Sequence, residues 1–446
     1  MTTMSTGHSG VTSPVLPTDE QATRLESWRF STFLVVLFGY VGYYVGRANL
    51  PVAMPLLSQE FGYSNTDLGI ILTMSELAYA LGKFTTGPLA DRVGGKVIFL
   101  VGLIGAIVFN LAFPMFSTLT LFTVVWCFCR YFLAMGWGGV IKLIGEWYEP
   151  ERHGTIMGIV SINFQFGSVA ATLFCAFLLQ KGVGWKGLFF YPALVMMAIA
   201  LWSYLASKES PQKIVPGVRF GGNASERKAM AQIEHGEDGR ASWAQMVKSL
   251  LRLPMFRQLL VFSFLSHILR SIFMYWTPKF LVDIGMGHVG AAMSSAVFPL
   301  LGCLGTIFIG WYTDNYAKNG DRARMMWIML VGLTVCLLAI AQLTTHRLEY
   351  QYLLILFLGL GGFFMYGPYS MSAGALSLDI AGAKAAGTCT GLIDSVGYLG
   401  SALAAWAAGV MSDKVGWAQV FLALAGCSLL SVLSAYNLSR TLRKRA

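Results

Sequence analysis

The chain has 446 residues, of which 55% are hydrophobic and 12% are charged, and its mean hydropathy is +0.60. These values exclude an ordinary soluble domain, in which about a quarter of the residues are charged. The formal net charge of +10 needs no nucleic-acid partner, because the cytoplasmic loops of membrane proteins are rich in Lys and Arg.

Apolar runs long enough to cross a bilayer, about 20 residues each, recur along the whole sequence. They predict twelve spans, near residues 30–57, 66–89, 97–116, 118–145, 153–180, 186–207, 256–283, 290–312, 325–344, 350–377, 386–411 and 417–438. The alternating segments of about 10 residues that mark a transmembrane β-barrel are absent. The predicted fold class is therefore an all-α polytopic membrane protein.

An even number of spans places both termini on one side of the membrane. The segments on that side contain most of the Lys and Arg residues, so the positive-inside rule predicts that both termini are cytoplasmic. We expect the protein in the cell (inner) membrane. The opposite side has only Lys181, Lys186, Lys279, Arg347 and Lys414. Residues 1–28 are rich in Ser, Thr, Gly and Pro and show no cleavage site, so we expect a disordered cytoplasmic tail and no signal peptide.

All seven cysteines fall in predicted spans, and their odd number argues against a disulfide framework. The sequence contains no metal-ligand cluster, nucleophile elbow or P-loop. It therefore predicts a protein that needs no cofactor and is not an enzyme.

The two halves of the chain match each other. Arg47 with Pro55 in the first span recurs as Arg270 with Pro278 in the seventh, shifted by 223 residues. Further pairs repeat with a shift of 223 or 233: Gly87 and Asp91 with Gly310 and Asp314, Gly154-Thr155 with Gly387-Thr388, and Gly167-Ser168 with Gly400-Ser401. This repeat predicts two pseudo-symmetric six-helix bundles with a ligand site between them near the membrane midplane.

The predicted domain organisation follows from this repeat. The two bundles cover residues 29–208 and 254–440, and a polar cytoplasmic linker covers 209–253. A basic tail at 441–446 ends the chain. We expect a monomer, because one chain would contain both sides of the site.

A glycine-rich segment lies where the second and third spans meet the cytoplasm. It reads Gly87-Pro-Leu-Ala-Asp91-Arg92-Val-Gly94-Gly-Lys96. It resembles the signature loop of the major facilitator superfamily, and Gly310 with Asp314 forms a weaker second copy. The resemblance implies a gating or structural role for Gly87, Asp91, Arg92, Gly310 and Asp314, without contact to the ligand.

Five basic residues lie within the predicted spans, where a charge costs roughly 3 kcal/mol or more unless it faces a wet cavity. They are Arg47, Lys83, Arg130, Lys142 and Arg270. Only Glu76 and Asp394 lie at similar depth as acids. The interior is therefore predicted to accept an anion.

Arg47 and Arg270 are the strongest candidates for anion binding. Tyr40, Tyr44 and Arg47 share one helical face, as do His267 and Arg270. The planar guanidinium fork binds phosphate or carboxylate oxygens bidentately, so two equivalent arginines could hold one oxyanion from both sides. The alternative is that each arginine pairs with an acid or extends toward the membrane surface.

Several stretches resemble the organophosphate:phosphate antiporter family of this superfamily. They are Tyr43-Tyr44-Val-Gly-Arg47, Ala78-Tyr79-Ala-Leu-Gly-Lys83-Phe84, Gly136-Trp137 with Lys142 and Trp147, Arg270 with Trp276-Thr-Pro278, and Tyr366-Gly367-Pro368 with Gly397-Tyr398-Leu-Gly400. The resemblance implies that Arg47 and Arg270 bind a substrate phosphoryl group and that Lys83 is the family's lysine of the second helix. It also implies that Tyr40, Tyr44, Tyr79, Trp137, Tyr366 and Tyr398 line the cavity.

Other positions depart from the family pattern. Phe164 replaces a histidine of the fifth helix, and His267 could supply a titratable imidazole instead or be satisfied by a neighbouring carbonyl. Asp394 could pair with Lys83 or contact a substrate hydroxyl or ammonium, since an unpaired buried carboxylate is costly. Arg130 is expected to be structural or to extend to the membrane surface, while Lys142 could face the cavity or serve packing.

These observations predict an alternating-access transporter that exchanges a phosphorylated organic anion for inorganic phosphate. Without an anion, the concentrated positive charge would oppose closure of the cavity. Two alternatives remain at this point. Arg47-Ala48-Asn49-Leu50 resembles the superfamily's anion:cation symporters, which favours a proton-coupled carboxylate symporter. A membrane sensor of a sugar phosphate is the other.

Overall fold

The computed structural model describes residues 18–149, 163–216, 250–316, 323–346, 349–373 and 375–443, with isolated positions between these ranges. They form twelve long helices, which confirms the predicted fold class. The helices are α1 (Asp19–Phe61), α2 (Asn65–Val93), α3 (Gly95–Met115), α4 (Leu119–Trp147), α5 (Asn163–Gln180), α6 (Gly187–Ala206), α7 (Pro254–Asp283), α8 (His288–Ser295 and Val297–Tyr316), α9 (Ala323–Thr344), α10 (Gln351–Ala373), α11 (Ala375–Lys414) and α12 (Trp417–Arg443).

Nine of these helices are long and apolar enough to cross a membrane, within the part of the chain that the structure describes. The other three are α2, α5 and α11. Helix α2 carries Glu76 and Lys83, α11 carries Asp394, and the apolar part of α5 is limited to Gln165–Gln180. These three helices all pack against the opposite half of the molecule, so their polar residues face protein and not lipid.

The packing of the helices repeats after six helices. In the first half α1 packs on α5 and α6, α2 on α4, and α3 on α4 and α6. In the second half α7 packs on α11 and α12, α8 on α10, and α9 on α10 and α12. The halves meet where α1 contacts α7, α2 contacts α11 and α5 contacts α8. The structure is therefore two pseudo-symmetric six-helix bundles, and Arg47 and Arg270 lie on equivalent helices at their interface.

The first helix begins earlier than the sequence predicts. Residues 19–28 belong to α1 and are not disordered, which corrects the expected tail of 1–28. Thr18 and Gln21 form a reciprocal capping box, in which the Gln21 backbone N–H donates to Thr18 Oγ1 at 3.4 Å and the Thr18 N–H to Gln21 Oε1 at 3.1 Å. Leu25 then packs against Val215 and Val218. The tail prediction failed because it weighed composition and overlooked this cap; its residues 1–17 lie outside the described chain.

The linker and the basic tail are also partly ordered. Pro211–Lys213 forms a short 3-10 turn after α6, and α12 continues to Arg443. The Glu209 carboxylate accepts hydrogen bonds from the backbone N–H groups of Gly95 and Lys96 at the start of α3. Gly94 precedes these groups with φ +97°, a conformation that glycine adopts without steric cost. The glycine-rich segment therefore contains a tight turn at Gly94.

The halves are in close contact on the side of the membrane opposite the termini, which we call the outer side. There the Asp413 carboxylate of α11 accepts hydrogen bonds from the backbone N–H groups of Asn65 and Thr66 at 3.1 and 2.7 Å. Farther in, Thr73 Oγ1 donates to the Ala402 carbonyl at 3.0 Å. A Cβ atom at Gly409 would lie 2.4 Å from the Asn65 carbonyl oxygen, so a glycine is needed for this approach.

Candidate functional site

Arg47 lies in the middle of α1 and is only 8% exposed. The opposite face of this helix packs on α6, where a Cβ atom at Gly46 would come within 2.7 Å of Met196. This close approach turns Arg47 toward the second half. Its Nη2 donates a hydrogen bond to the Tyr275 hydroxyl of α7, and its guanidinium lies 5.3 Å from the centroid of the Tyr79 ring.

Arg270 occupies the equivalent position on α7 and is 7% exposed. Its guanidinium lies 4.7 Å from the Tyr369 ring centroid, and Nη1 contacts the sulfur of Met274 at 2.8 Å. Tyr366 of α10 is also close enough to act on its charge. Arg47 and Arg270 form no ion pair with any carboxylate of the described residues, and the Nε of each is buried without a hydrogen-bond partner. Both therefore retain donors for an anion.

A third arginine differs from these two. Arg130 of α4 is 1% exposed and forms an ion pair with Glu76 of α2. It is therefore structural, as one of the two sequence expectations stated, and it does not extend to the membrane surface. The neutralised pair leaves Arg47 and Arg270 as the buried guanidiniums without a carboxylate among the residues described.

Tyr275 is the residue that sequence reasoning missed. Its hydroxyl donates to Glu76 Oε1 at 2.7 Å and accepts hydrogen bonds from Arg130 Nη2 at 3.3 Å and from Arg47. The sequence offered no signal for it, because a tyrosine five residues after Arg270 lies on a different face of the helix. Only the meeting of the two halves brings it to Glu76.

Lys83, Tyr79, Tyr398 and Asp394 lie where α2 meets α11. Tyr79 and Tyr398 pack against each other across the interface with ring centroids 4.9 Å apart and ring planes tilted by 55°, and the Lys83 ammonium lies 5.6 Å from the Tyr79 ring centroid. The predicted ion pair between Lys83 and Asp394 is not formed in the described structure. Both side chains are partly exposed.

His267 is satisfied by a neighbouring carbonyl, as one sequence alternative stated. The ring is 1% exposed, with Nδ1 2.9 Å from the Ser263 carbonyl oxygen and Nε2 3.3 Å from the Tyr369 hydroxyl. A Cβ atom at Gly397 would lie 2.2 Å from Nδ1, which explains the glycine there. His267 therefore positions Tyr369, which in turn lies against Arg270.

Tyr40, Tyr44 and Trp137 form an aromatic wall beside Arg47. The Tyr40 ring centroid lies 5.7 Å from that of Tyr44 and 5.6 Å from that of Trp137. Tyr44 and Arg47 also line a small cavity of about 30 Å³ that extends toward the outer side between the halves. A cavity of this size holds one or two water molecules and is too small for an organic anion.

Lys142 lies away from this cluster. It follows Arg130 by twelve residues, about 18 Å along the helix, and its Nζ lies 4.0 Å from Glu146 Oε1. Among the predicted gating residues, Arg92 is exposed, and the space around Gly310 holds no described atom within 4 Å of a Cβ. The side chains of Asp91 and Asp314, and the surroundings of Gly87, lie outside the described part of the structure.

The fold and the site together define a class of protein: a secondary transporter built from two repeated helical bundles, with a cationic site between them. The family model of the Major Facilitator Superfamily matches residues 36–405. The chain belongs to this superfamily.

Relatives and solved structures agree with this assignment. The chain is 25% identical to a probable hexose phosphate transport protein of Chlamydia pneumoniae, with 91% of this chain and 90% of the relative covered. It is 27% identical to a glycerol-3-phosphate transporter of Bacillus subtilis, with 91% of each chain covered. A crystal structure of a bacterial homologue of the human lysosomal transporter Spinster, inward-facing and unoccupied, matches with a TM-score of 0.76 at 15% identity, covering 94% of this chain and 98% of the other. The two transporters are of the kind that the sequence resemblance predicted.

Proposed function

We propose that the protein carries a phosphorylated organic anion across the cell's inner membrane in exchange for inorganic phosphate. The observation that carries this proposal is the pair of buried guanidiniums, Arg47 and Arg270, one from each half, neither paired with a carboxylate of the described residues. Two planar forks suit the oxygens of a phosphoryl group better than they suit a neutral sugar. The names of the phosphate-ester transporters to which the chain is similar support this substrate class.

The charge of the site supports a dianionic substrate. Arg47, Arg270, Arg130 and Lys83 supply four positive charges, and Glu76 and Asp394 supply two negative ones. The excess of two positive charges near the midplane is costly without a counter-ion, because few water dipoles reach it. A phosphate monoester carries close to two negative charges at neutral pH. One bound substrate would therefore neutralise the site.

Alternating access follows from the arrangement of the halves. Contacts such as Asp413 with Thr66 close the outer side, so we assign this structure to a state that is closed on that side, and we place the termini in the cytoplasm. The aromatic residues Tyr40, Tyr44, Tyr79, Trp137, Tyr366 and Tyr398 would contact the organic part of the substrate. The site is complete within one chain, which favours a monomer.

Countertransport in proteoliposomes tests this function. Vesicles loaded with phosphate should take up labelled hexose phosphate or glycerol phosphate without an imposed pH gradient, and empty vesicles should not. Uptake of a sugar acid that requires a proton gradient would instead establish symport. Binding of the ester without countertransport would indicate a sensor.

A further inference from the structure

Tyr275, Glu76, Arg130 and Arg47 form a connected group that we call the Tyr275 junction. Three of its members belong to the first half, on α1, α2 and α4, and Tyr275 alone belongs to the second. Neither the substrate proposal nor the family resemblance assigns a role to Tyr275, and the substrate proposal uses Glu76 and Arg130 only for the charge of the site. All four side chains are buried.

The Tyr275 hydroxyl uses its full bonding capacity within this junction. It donates its proton to Glu76 Oε1 and accepts from Arg130 and Arg47. A phenol offers one donor and an acceptor oxygen, so the hydroxyl has no capacity left for a substrate. One oxygen atom therefore joins three helices of one half to α7 of the other.

The junction lies on the outer side of the proposed anion site. Tyr275 follows Arg270 by five residues, which places it about 7.5 Å farther along α7 toward the outer end. Tyr275 and Arg47 both line the small cavity of about 30 Å³ on this side. Separation of the halves on the outer side, as alternating access requires, must break the bonds of Tyr275 to the first half.

Arg47 belongs both to this junction and to the anion site. Its Nη2 holds the Tyr275 hydroxyl, while its Nε is buried without a partner. Nη2 carries two N–H groups, one in each fork of the guanidinium, so Tyr275 occupies one fork and leaves the other for a bidentate anion. A bond to a charged oxygen is roughly twice as strong as one to a neutral hydroxyl. An anion bound to Arg47 neutralises the guanidinium charge and so weakens its hydrogen bond to Tyr275.

We infer that Tyr275 is the residue that couples anion occupancy to the contact between the halves, a role that rests on the proposed exchange function. In the empty protein Arg47 binds Tyr275 and holds the outer side closed. A bound anion neutralises Arg47, weakens its hydrogen bond to Tyr275 and so weakens the closure. The loaded protein then changes conformation more readily than the empty one. Such a differential interaction is what a ligand needs in order to shift a conformational equilibrium. It accounts for exchange in preference to net transport.

The test compares net efflux with exchange in vesicles loaded with labelled phosphate. Efflux into phosphate-free medium measures return of the empty protein, and efflux into medium with phosphate measures exchange. In Tyr275→Phe we expect the ratio of net efflux to exchange to rise about 10-fold, the effect of one hydrogen bond to charged groups. An unchanged ratio would overturn the inference.

Tyr43→Phe is the matched control. Tyr43 is also buried, and its hydroxyl donates to the Phe99 carbonyl within the first half. This variant loses one tyrosine hydroxyl without touching the interface, so its ratio should equal that of the unmodified protein. An equal rise in both variants would show a general loss of packing and would contradict the role of Tyr275.

A second measurement does not depend on the folding of Tyr275→Phe. Thr73 lies in the closed contact of α2 with α11 on the outer side. In a Thr73→Cys variant, phosphate should accelerate labelling by an impermeant maleimide added from that side, and labelling unaffected by phosphate would refute the coupling. If the unmodified protein exchanges no phosphate ester at all, the proposed function itself fails. If it does exchange, and Tyr275→Phe and Tyr43→Phe have the same ratio of net efflux to exchange, only this inference fails.

Discussion

Among single residues, the three buried arginines differ in what surrounds them. Arg130 forms an ion pair with the Glu76 carboxylate. Arg47 instead contacts the Tyr275 hydroxyl, and Arg270 contacts an aromatic ring and a thioether sulfur. A buried charge without a carboxylate costs free energy that a ligand can recover. The sequence already distinguished Arg47 and Arg270 by their repeat, and the structure adds that the charge of Arg130 is balanced by Glu76.

Replacing Arg47 or Arg270 by lysine should abolish most exchange. In Arg47→Lys or Arg270→Lys the charge remains but the fork is lost, so we expect phosphate exchange to fall by at least about 10-fold. Exchange rates in proteoliposomes containing equal amounts of protein check this. The control is Arg257→Lys, an exposed position on the same helix as Arg270, which should keep the full rate. Full exchange in both Arg47→Lys and Arg270→Lys would show that these two arginines do not bind the anion.

Glu76→Gln should destabilise the protein strongly. Removing one partner of a buried ion pair leaves the other charge unpaired and costs about 3 to 5 kcal/mol. Thermal unfolding in detergent at neutral pH should show a markedly lower Tm, and adding Arg130→Met should recover part of it. An unchanged Tm would mean that the Glu76–Arg130 pair contributes nothing.

Glu149→Gln is the control for this comparison, because Glu149 pairs with Arg29 at the end of α4 and is partly exposed. Burial raises the pKa of Glu149, but hydrogen bonds from the backbone and from Arg29 lower it by a larger amount. The pKa of Glu149 therefore lies below its ordinary value. Its stabilising effect is therefore present at neutral pH and is lost as the pH falls through the lowered pKa. The loss of a partly exposed pair should cost about 1 kcal/mol or less.

Among the helices, α2 is the one whose start is capped by both halves. Within the first half, Ser64 Oγ accepts from the Asp67 N–H at 3.1 Å and Asp67 accepts from the Ser64 N–H at 3.0 Å. The two intervening N–H groups, those of Asn65 and Thr66, donate to Asp413 of the second half. The free N–H groups of a helix start thus become a tie across the outer side.

Asp413→Ala should favour opening of the outer side. The lost cap is worth about 1 kcal/mol, so maleimide labelling of Thr73→Cys from the outer side should become about 5-fold faster. Ser64→Ala removes a cap of similar strength within one half and should change the rate little. Equal acceleration in both variants would mean that fraying of α2, and not separation of the halves, exposes the cysteine.

The helices themselves were largely predictable. The twelve predicted spans correspond to α1–α12, because apolar runs of about 20 residues have few alternatives in a bilayer. The ends were less predictable: α1 begins at Asp19 because of the Thr18 capping box, and α11 extends from Ala375. Such extensions depend on caps and local packing, which leave weak signals in composition.

For the molecule as a whole, the charge of the proposed site combines groups of both halves. Arg47, Lys83, Arg130 and Glu76 come from the first half, and Arg270 and Asp394 come from the second. The second proton of a phosphate monoester dissociates near pH 6. The match to a dianion is therefore sensitive to the protonation of the substrate.

Exchange of a phosphate monoester should slow as the pH is lowered on both sides of the membrane from about 7.5 to about 5.5, since the dianion fraction falls across the pKa of roughly 6. Initial rates at equal internal and external pH check this. A sulfate ester, which stays a monoanion over this range, should show a flat profile if it is carried. A monoester rate that rises on acidification would contradict the dianion preference and favour proton coupling.

The amino-acid sequence by itself determined the twelve helices, the repeat of the halves and the position of Arg47 and Arg270, since each depends on local hydropathy or on spacing along one helix. Tertiary structure alone decided the rest. Tyr275 meets Glu76, Asp413 caps α2, and Lys83 remains apart from Asp394. These contacts join residues some 200 to 350 positions apart in the chain. These contacts depend on how the two packed bundles meet. Hydropathy and helical periodicity are local patterns, so they do not show which residues of one bundle contact which residues of the other.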